Sequence, residues 1–356
     1  MKKRKSLIAL AMACLIFAAF CIQTSAASRT KTIDVTYSDI KIYVDGKLAA
    51  LKDVTGTTVE PFIYNGTTYL PVRAVSEALG KEVGWDGETS SVFIGEQPES
   101  EITTVTVRTA AEFVAALGSN HIIKVTPGEY NLTEALDTAV ENKNIELADV
   151  FDGFEYTLSN IRNLTIRGTG TAPSEIVVEP RYAFVLSFIS GANISIENIT
   201  AGHTDAGYCQ GGVFAFTRSS DIKIDNTQMY GCGTEGLKLN NVSGMTVTDS
   251  TIYECTYYIM TVENSRDIKF ENCTFRDNEG YPMVNITGTN GLTFDKCKFE
   301  RNVGIDGFFS IRGSSGIKVS GSTFKDNGAT SFDPYGGINE LGADNTFSGN
   351  TFEQPR

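Results

Sequence analysis

Ile224-Asp225-Asn226-Thr227-Gln228-Met229-Tyr230-Gly231-Cys232 is followed, 23 residues later, by Val247-Thr248-Asp249-Ser250-Thr251-Ile252-Tyr253-Glu254-Cys255. Another 23 residues on, the same positions read Phe270-Glu271-Asn272-Cys273-Thr274-Phe275-Arg276-Asp277-Asn278. A step of 24 reaches Phe294-Asp295-Lys296-Cys297-Lys298-Phe299-Glu300-Arg301-Asn302, and a step of 25 reaches Val319-Ser320-Gly321-Ser322-Thr323-Phe324-Lys325-Asp326-Asn327. Five copies at a nearly constant period mark stacked units, none of which can bury its apolar face alone.

Within each copy apolar residues alternate in short runs: Ile222/Ile224, Leu237/Leu239, Met260/Val262, Val284/Ile286 and Phe309/Ile311. A period of two predicts strands, and no amphipathic segment of helix length lies between them. The chain therefore reads as a mainly β protein, a parallel β-solenoid whose coils stack at about 4.8 Å. Equivalent residues then form columns. One column holds Cys209, Cys232, Cys255, Asn278, Asn302 and Asn327, and Asn suits such a ladder because its amides bond along the stacking axis. With the Asn264-Ser265 and Ser315-Gly316 turns, this pattern resembles the pectate-lyase-like right-handed parallel β-helix superfamily over roughly residues 105–350, and the domain is assigned to 105–356. At its start, Thr109-Ala110-Ala111-Glu112 forms a capping box that predicts a short helix through Phe113, Val114 and Leu117. A helix at this point would seal the open end of the solenoid.

Upstream, Lys2-Lys3-Arg4-Lys5, an apolar run from Leu7 to Ile22 and the small residues Ser25-Ala26-Ala27 follow the order of a secretory signal, assigned to residues 1–27. Residues 33–95 read as a small α+β unit. It has turns at Asp45-Gly46 and Asn65-Gly66, a helix carrying Val72, Val75 and Leu79 and closed by Gly80, and a last strand at Val92-Phe93-Ile94. The run from Ile63 to Val75, then Ala78-Leu79-Gly80 and Val83-Gly84-Trp85-Asp86, resembles the stalk domain named after the N-terminus of copper amine oxidases. The resemblance implies a spacer or wall-associated module and no copper, since the segment contains neither His nor Cys. Arg73 and Trp85 read as an ion pair and a core ring. Residues 96–104, polar and containing Pro98, read as a linker.

Loss of the signal removes four of the 30 basic residues and none of the 43 acidic ones, moving the net charge from −13 to −17. That balance argues against nucleic acid as a partner. No later segment is long and apolar enough to span a bilayer, so no membrane contact is expected after signal cleavage. Five cysteines remain, an odd number. Stacked side chains with parallel vectors fit a disulfide poorly, so buried free thiols are expected. No Cys-x-x-Cys pair points to a structural metal. No cofactor motif is evident, and the superfamily's calcium dependence leaves calcium open.

Two places could carry chemistry. From Ile196 to Ile224 the step is 28 rather than 23, and the extra residues fall in Gly202–Tyr208. This insertion carries His203, Asp205 and Tyr208, and the equivalent turns of the next coils hold Glu235, then Tyr257 and Tyr258. Two carboxylates with a His could do acid–base work on a sugar, the tyrosines binding it; the alternative is a loop tied down by polar contacts. The second place is the outward face of the following strands. Ala215, Lys238, Thr261, Asn285 and Ser310 form one column there, and Thr217, Asn240, Glu263, Thr287 and Arg312 the next. Lys238, Glu263 and Arg312 could line a groove, with Lys or Arg as a lyase base; the alternative is a solvated face with a weak ion pair. The superfamily's calcium-binding Asp cluster, its paired Asp with Gly-His-Gly, and its Asp/Asp/Arg set have no match here, so its catalytic residues cannot be carried over. The expectation is an exported or cell-surface β-helix that binds or processes a polysaccharide or the cell wall, as a lyase or glycoside hydrolase if it is an enzyme. The alternative is a non-catalytic structural or adhesin-like β-helix.

Overall fold

The computed structural model describes residues 32–52, 57–86, 91–95, 101–205, 210–231, 233–305, 308–329 and 344–353. The signal segment, Tyr208, Cys209, Cys232, the side chain of Trp85 and linker residues 96–100 lie outside them. The chain divides into two compact units, Met1–Glu99 and Ser100–Arg356.

In the first unit, Asp45-Gly46 joins the antiparallel pair Tyr43–Val44 and Lys47–Leu48, and Asn65-Gly66 joins Phe62–Tyr64 to Thr67–Tyr69. Both turns place two successive residues at positive φ, as a type I′ hairpin requires. The helix Val72–Ala78 ends at Gly80, whose φ is 71°. Gly80 N–H bonds Glu77 O and Lys81 N–H bonds Ser76 O, a Schellman closure. Arg73 pairs with Glu77 at 3.6 Å and also donates to Val83 O at 2.9 Å, tying the helix to the Val83–Asp86/Ser91–Ile94 hairpin.

The second unit is a parallel β-solenoid. Its three long sheets have 10, 9 and 8 strands among the described residues, and apart from an antiparallel hairpin at the edge of the 8-stranded sheet each strand pairs in parallel with its equivalent one coil away. The first strand, Thr103–Val107, begins inside the stretch read as linker, because Thr104 and Thr106 alternate with Val105 and Val107 against His121–Val125. The end is sealed by the helix Ala110–Ala116, which buries Phe113 and Val114. Thr109 Oγ1 accepts from Glu112 N–H, while the Glu112 carboxylate takes the N–H of Arg108 rather than that of Thr109. Two features of this end are absent from the sequence reading. A 3₁₀ turn at Leu132–Ala135 runs into a second helix, Leu136–Glu141, and an antiparallel hairpin, Ile145–Val150 with Gly153–Ser159, forms the edge of the 8-stranded sheet.

Every coil turns its corners on residues in the left-handed conformation. Asn198, Asn226, Asp249, Asn272 and Lys296 form one such column, continued by Gly321 and Gly349. Asn and Asp tolerate this region and Gly meets no Cβ penalty there. After several of these bends a small polar side chain points inward and caps the backbone of the coil beneath. Thr227 N–H bonds Ser250 Oγ, Val242 N–H bonds Ser265 Oγ, and Cys255 N–H bonds Asn278 Oδ1. Asn278, Asn302 and Asn327 continue the last column as a fully buried amide ladder, linked Nδ2 to Oδ1 at 2.8 and 3.0 Å. Cys255, Cys273 and Cys297 are buried free thiols. Between the corners the interior is apolar and includes stacked rings, Phe270 on Phe294 at 5.0 Å and Phe299 on Phe324 at 4.6 Å.

Candidate functional site

The 8-stranded sheet departs from strict alternation where each strand begins. Val213 and Phe214, Ile259 and Met260, and Met283 and Val284 are consecutive and all buried. Gly236 occupies the first of these inward positions in its own coil: a Cβ there would lie 2.4 Å from Cγ2 of the core residue Ile252. Two successive inward residues turn the preceding one outward. Gly212, Glu235 and Tyr258 are therefore neighbours in one outward column, paired strand to strand. Lys238, three residues after Glu235, faces out as well. The two residues assigned to separate places in the sequence share one face of one strand.

Glu235 faces outward yet is only 3% exposed. The Phe184 ring lies over Gly212, where a Cβ would come within 2.2 Å of its Cε1, and this fills the space on one side of the Glu235 column. Tyr258 stands on the other side. Phe184 is held by its N–H bond to Glu155 Oε2, and Glu155 Oε1 accepts from Ser187 Oγ. Lys238 Nζ sits 5.8 Å from the Phe184 ring centre. Burial pushes the Glu235 carboxyl up to about 7; the negative charge of Glu263 adds to this, while hydrogen bonds from Thr261 and the charge of Lys238 oppose it. Its Oε2 has no hydrogen-bond partner among the described residues. Burial also raises the Tyr258 phenol, helped by Glu235.

Glu263 pairs with Asn240 in the next outward column and accepts from Asn240 Nδ2 at 3.0 Å. Glu235 thus interacts with Lys238, Glu263 and Tyr258, with Phe184 and Thr261 beside it. Arg312 lies two strands from Glu263, beyond Thr287, and is exposed. Tyr257 stacks on Tyr281 at 6.1 Å with the rings parallel.

The insertion is organised differently. His203 does not stand on a protruding loop; it extends the strand Thr200–His203, pairs with Val178 and is 2% exposed. Its Nε2 meets Ala183 O at 2.9 Å, and desolvation lowers its pKa against the opposing effects of that carbonyl and Asp152. A neutral imidazole donating from Nε2 props the segment 179–185 from beneath. Asp205 is exposed, and among the described residues it is not one of the charges acting on Glu235. The carboxylate that acts on Glu235 is Glu263. Phe184 escaped the sequence reading; the signal for it was Gly211-Gly212, where a strand start in a packed column carries no side chain.

Parts of the chain match two known families. Residues 182–352 match the right handed β-helix region, and residues 16–94 and 44–120 match the copper amine oxidase N-terminal domain. No curated protein matches the chain. Similar solved structures include a pectate lyase from Paenibacillus sp. 0602 at 11% identity and TM-score 0.46, covering 73% of this chain and 80% of that one. Another is PfbA, a surface adhesin of Streptococcus pneumoniae, at 13% identity and TM-score 0.43, covering 68% and 74%. The polygalacturonase from Erwinia carotovora aligns at 11% identity and TM-score 0.38, covering 66% and 74%. Residues 33–95, most of the copper amine oxidase N-terminal match, contain neither His nor Cys. Among the described residues no three His, Cys, Asp or Glu side chains converge to hold a metal ion, and no helix is long and apolar enough to cross a membrane.

Proposed function

We propose that the protein is exported and that its β-helix cleaves an extracellular polysaccharide, with Glu235 as the proton donor. The observation that carries this reading is a carboxyl buried on an outward sheet face, with a second carboxylate and a lysine acting on it; burial pushes it up to about 7, so that a good part of it keeps its proton near neutral pH. With the Phe184 cover displaced by the bound sugar, a carboxylic acid of that kind protonates the glycosidic oxygen as the bond to the anomeric carbon breaks. Glu263 is the second carboxylate and takes the proton of the water that bonds to that carbon. Lys238 sets the local charge. Export rests on the signal-like N-terminus, and the stalk module serves as a spacer at the cell surface.

The test is to incubate the mature protein with plant, algal and bacterial-wall polysaccharides, with and without calcium. New reducing ends and ultraviolet absorbance from unsaturated sugars are followed together. Hydrolysis gives reducing ends without absorbance, lost in Glu235→Gln. Unsaturated products lost in Lys238→Ala would move the chemistry to elimination. Silence across the panel, with the protein verified as folded, would leave a binding or structural β-helix.

A further inference from the structure

Phe151 is 86% exposed, the most exposed of the large apolar side chains described. It sits at the tip of the hairpin that edges the 8-stranded sheet. Such a tip is ordinarily mobile, but this one is tied to the chain on every side. Asp152 accepts the N–H groups of Arg181 and Tyr182 at 2.8 and 3.2 Å. Gly153 lies so close to Pro180 that a Cβ would meet its Cγ at 2.5 Å. The Phe151 ring meets that of Tyr182 at 5.1 Å, tilted by 51°. His203 props the same segment from below through Ala183 O, and Gly211 N–H bonds Arg181 O. Besides the ring's own contact with Tyr182, five neighbouring contacts fix the tip that carries this costly exposed ring, and none of them needs the ring to be apolar.

Tyr182 is two residues from Phe184, the ring that shields Glu235. The strand after Phe184 lies two coils from that of Glu235, about 10 Å along the axis. Beyond Glu235, Tyr257 and the 45% exposed Tyr281 lie one and two coils further. Aromatic side chains therefore stand on both sides of the acid, along the solenoid axis.

We infer that Phe151 and Tyr182 form an outlying platform for a sugar ring, and that the ligand is a linear polysaccharide lying along the axis and crossing Glu235 at an internal linkage. This rests on the proposed function for the polymer class and extends it to the position and direction of the chain. Rings held rigid against solvent offer apolar faces at low entropic cost. Continuity with the Glu235 face favours a glycan over a second copy of this protein.

The test is affinity electrophoresis of the full mature chain through gels containing xylan, laminarin or polygalacturonate, beside sedimentation of each variant. Glu235→Gln is the background, so binding is read without turnover. Phe151→Ala combined with Tyr182→Ala should weaken retardation about tenfold in the polymer that Glu235→Gln binds, with an unchanged unfolding midpoint. Wild type should cleave that polymer in mid-chain. Retardation unchanged within about twofold overturns the platform, even if wild type cleaves. Binding that depends on the pair but never leads to cleavage keeps the platform and removes the enzymatic reading. No retardation in any gel removes both. A dimer dissolved by Phe151→Ser would assign the ring to self-association and overturn the inference.

Discussion

At the scale of single residues, Glu235 and His203 are two buried titratable groups of opposite sign. A raised carboxyl pKa means that the folded state favours the protonated form. Its contribution is fully present below the unfolded value near 4.5 and is lost as the pH rises through about 7. The loss amounts to roughly 3 kcal/mol. His203 works the other way: its depressed pKa makes stability rise with pH until the unfolded value near 6.5 is passed. Urea midpoints at pH 5 and pH 8 for wild type and Glu235→Gln separate them, because His203 is common to both. The wild type should lose stability relative to the Gln variant over that interval; parallel curves would mean that Glu235 is charged throughout. The sequence placed Glu235 in a turn and offered no reason for it to be protonated. Its burial comes from Phe184, Tyr258 and Thr261, contributed by other coils.

At the scale of elements, ladders and strand starts carry the fold. Asn302 is wholly buried; its Oδ1 accepts from Asn278 Nδ2 and N–H, and its Nδ2 donates to Phe275 O. Asn302→Ala leaves these groups unpaired inside the solenoid, at a cost of about 3 kcal/mol or more. Equilibrium unfolding in urea measures it, and a change under about 1 kcal/mol would show that the ladder relaxes onto other partners. Gly212→Ala places a methyl group against the Phe184 ring and 2.6 Å from Glu235 O. It should destabilise by about 1–3 kcal/mol and, by displacing Phe184, bring the Glu235 titration down toward the ordinary carboxylate range. Carbonyl infrared spectroscopy of the isotope-labelled glutamates reads that titration directly. The Asn column was legible in the sequence because its members recur at the repeat period. The bulge at the strand start was not, since strict alternation sets Glu235 and Lys238 on opposite faces and only the pair of consecutive buried residues restores them to one.

At the scale of the whole molecule, the solenoid brings its own cap. Phe113 and Val114 of the first helix and Leu132 of the turn before the second are buried in the same core as the coils. A fragment starting at Ser100 should therefore fold without the stalk module, give a β-type circular dichroism spectrum and unfold in one cooperative transition. A fragment that aggregates or melts without cooperativity would make the first unit part of the solenoid's folding.

The sequence by itself determined the coil period, the strand register, the Asn column and both outward columns, because each is a local pattern repeated at a near-constant step. Each paired residue lies opposite the one that the repeat places there, from Lys238 with Thr261 to Thr287 with Arg312. It also marked the turns of the stalk module through Asp-Gly and Asn-Gly, whose conformational preferences are intrinsic. The tertiary structure alone decided which outward residues are desolvated. Solvent is excluded from Glu235 by side chains of neighbouring coils, and His203 is drawn under a segment that lies 20 residues earlier. Burial is a property of what covers a residue, and the covering groups have no fixed spacing from the residue they cover.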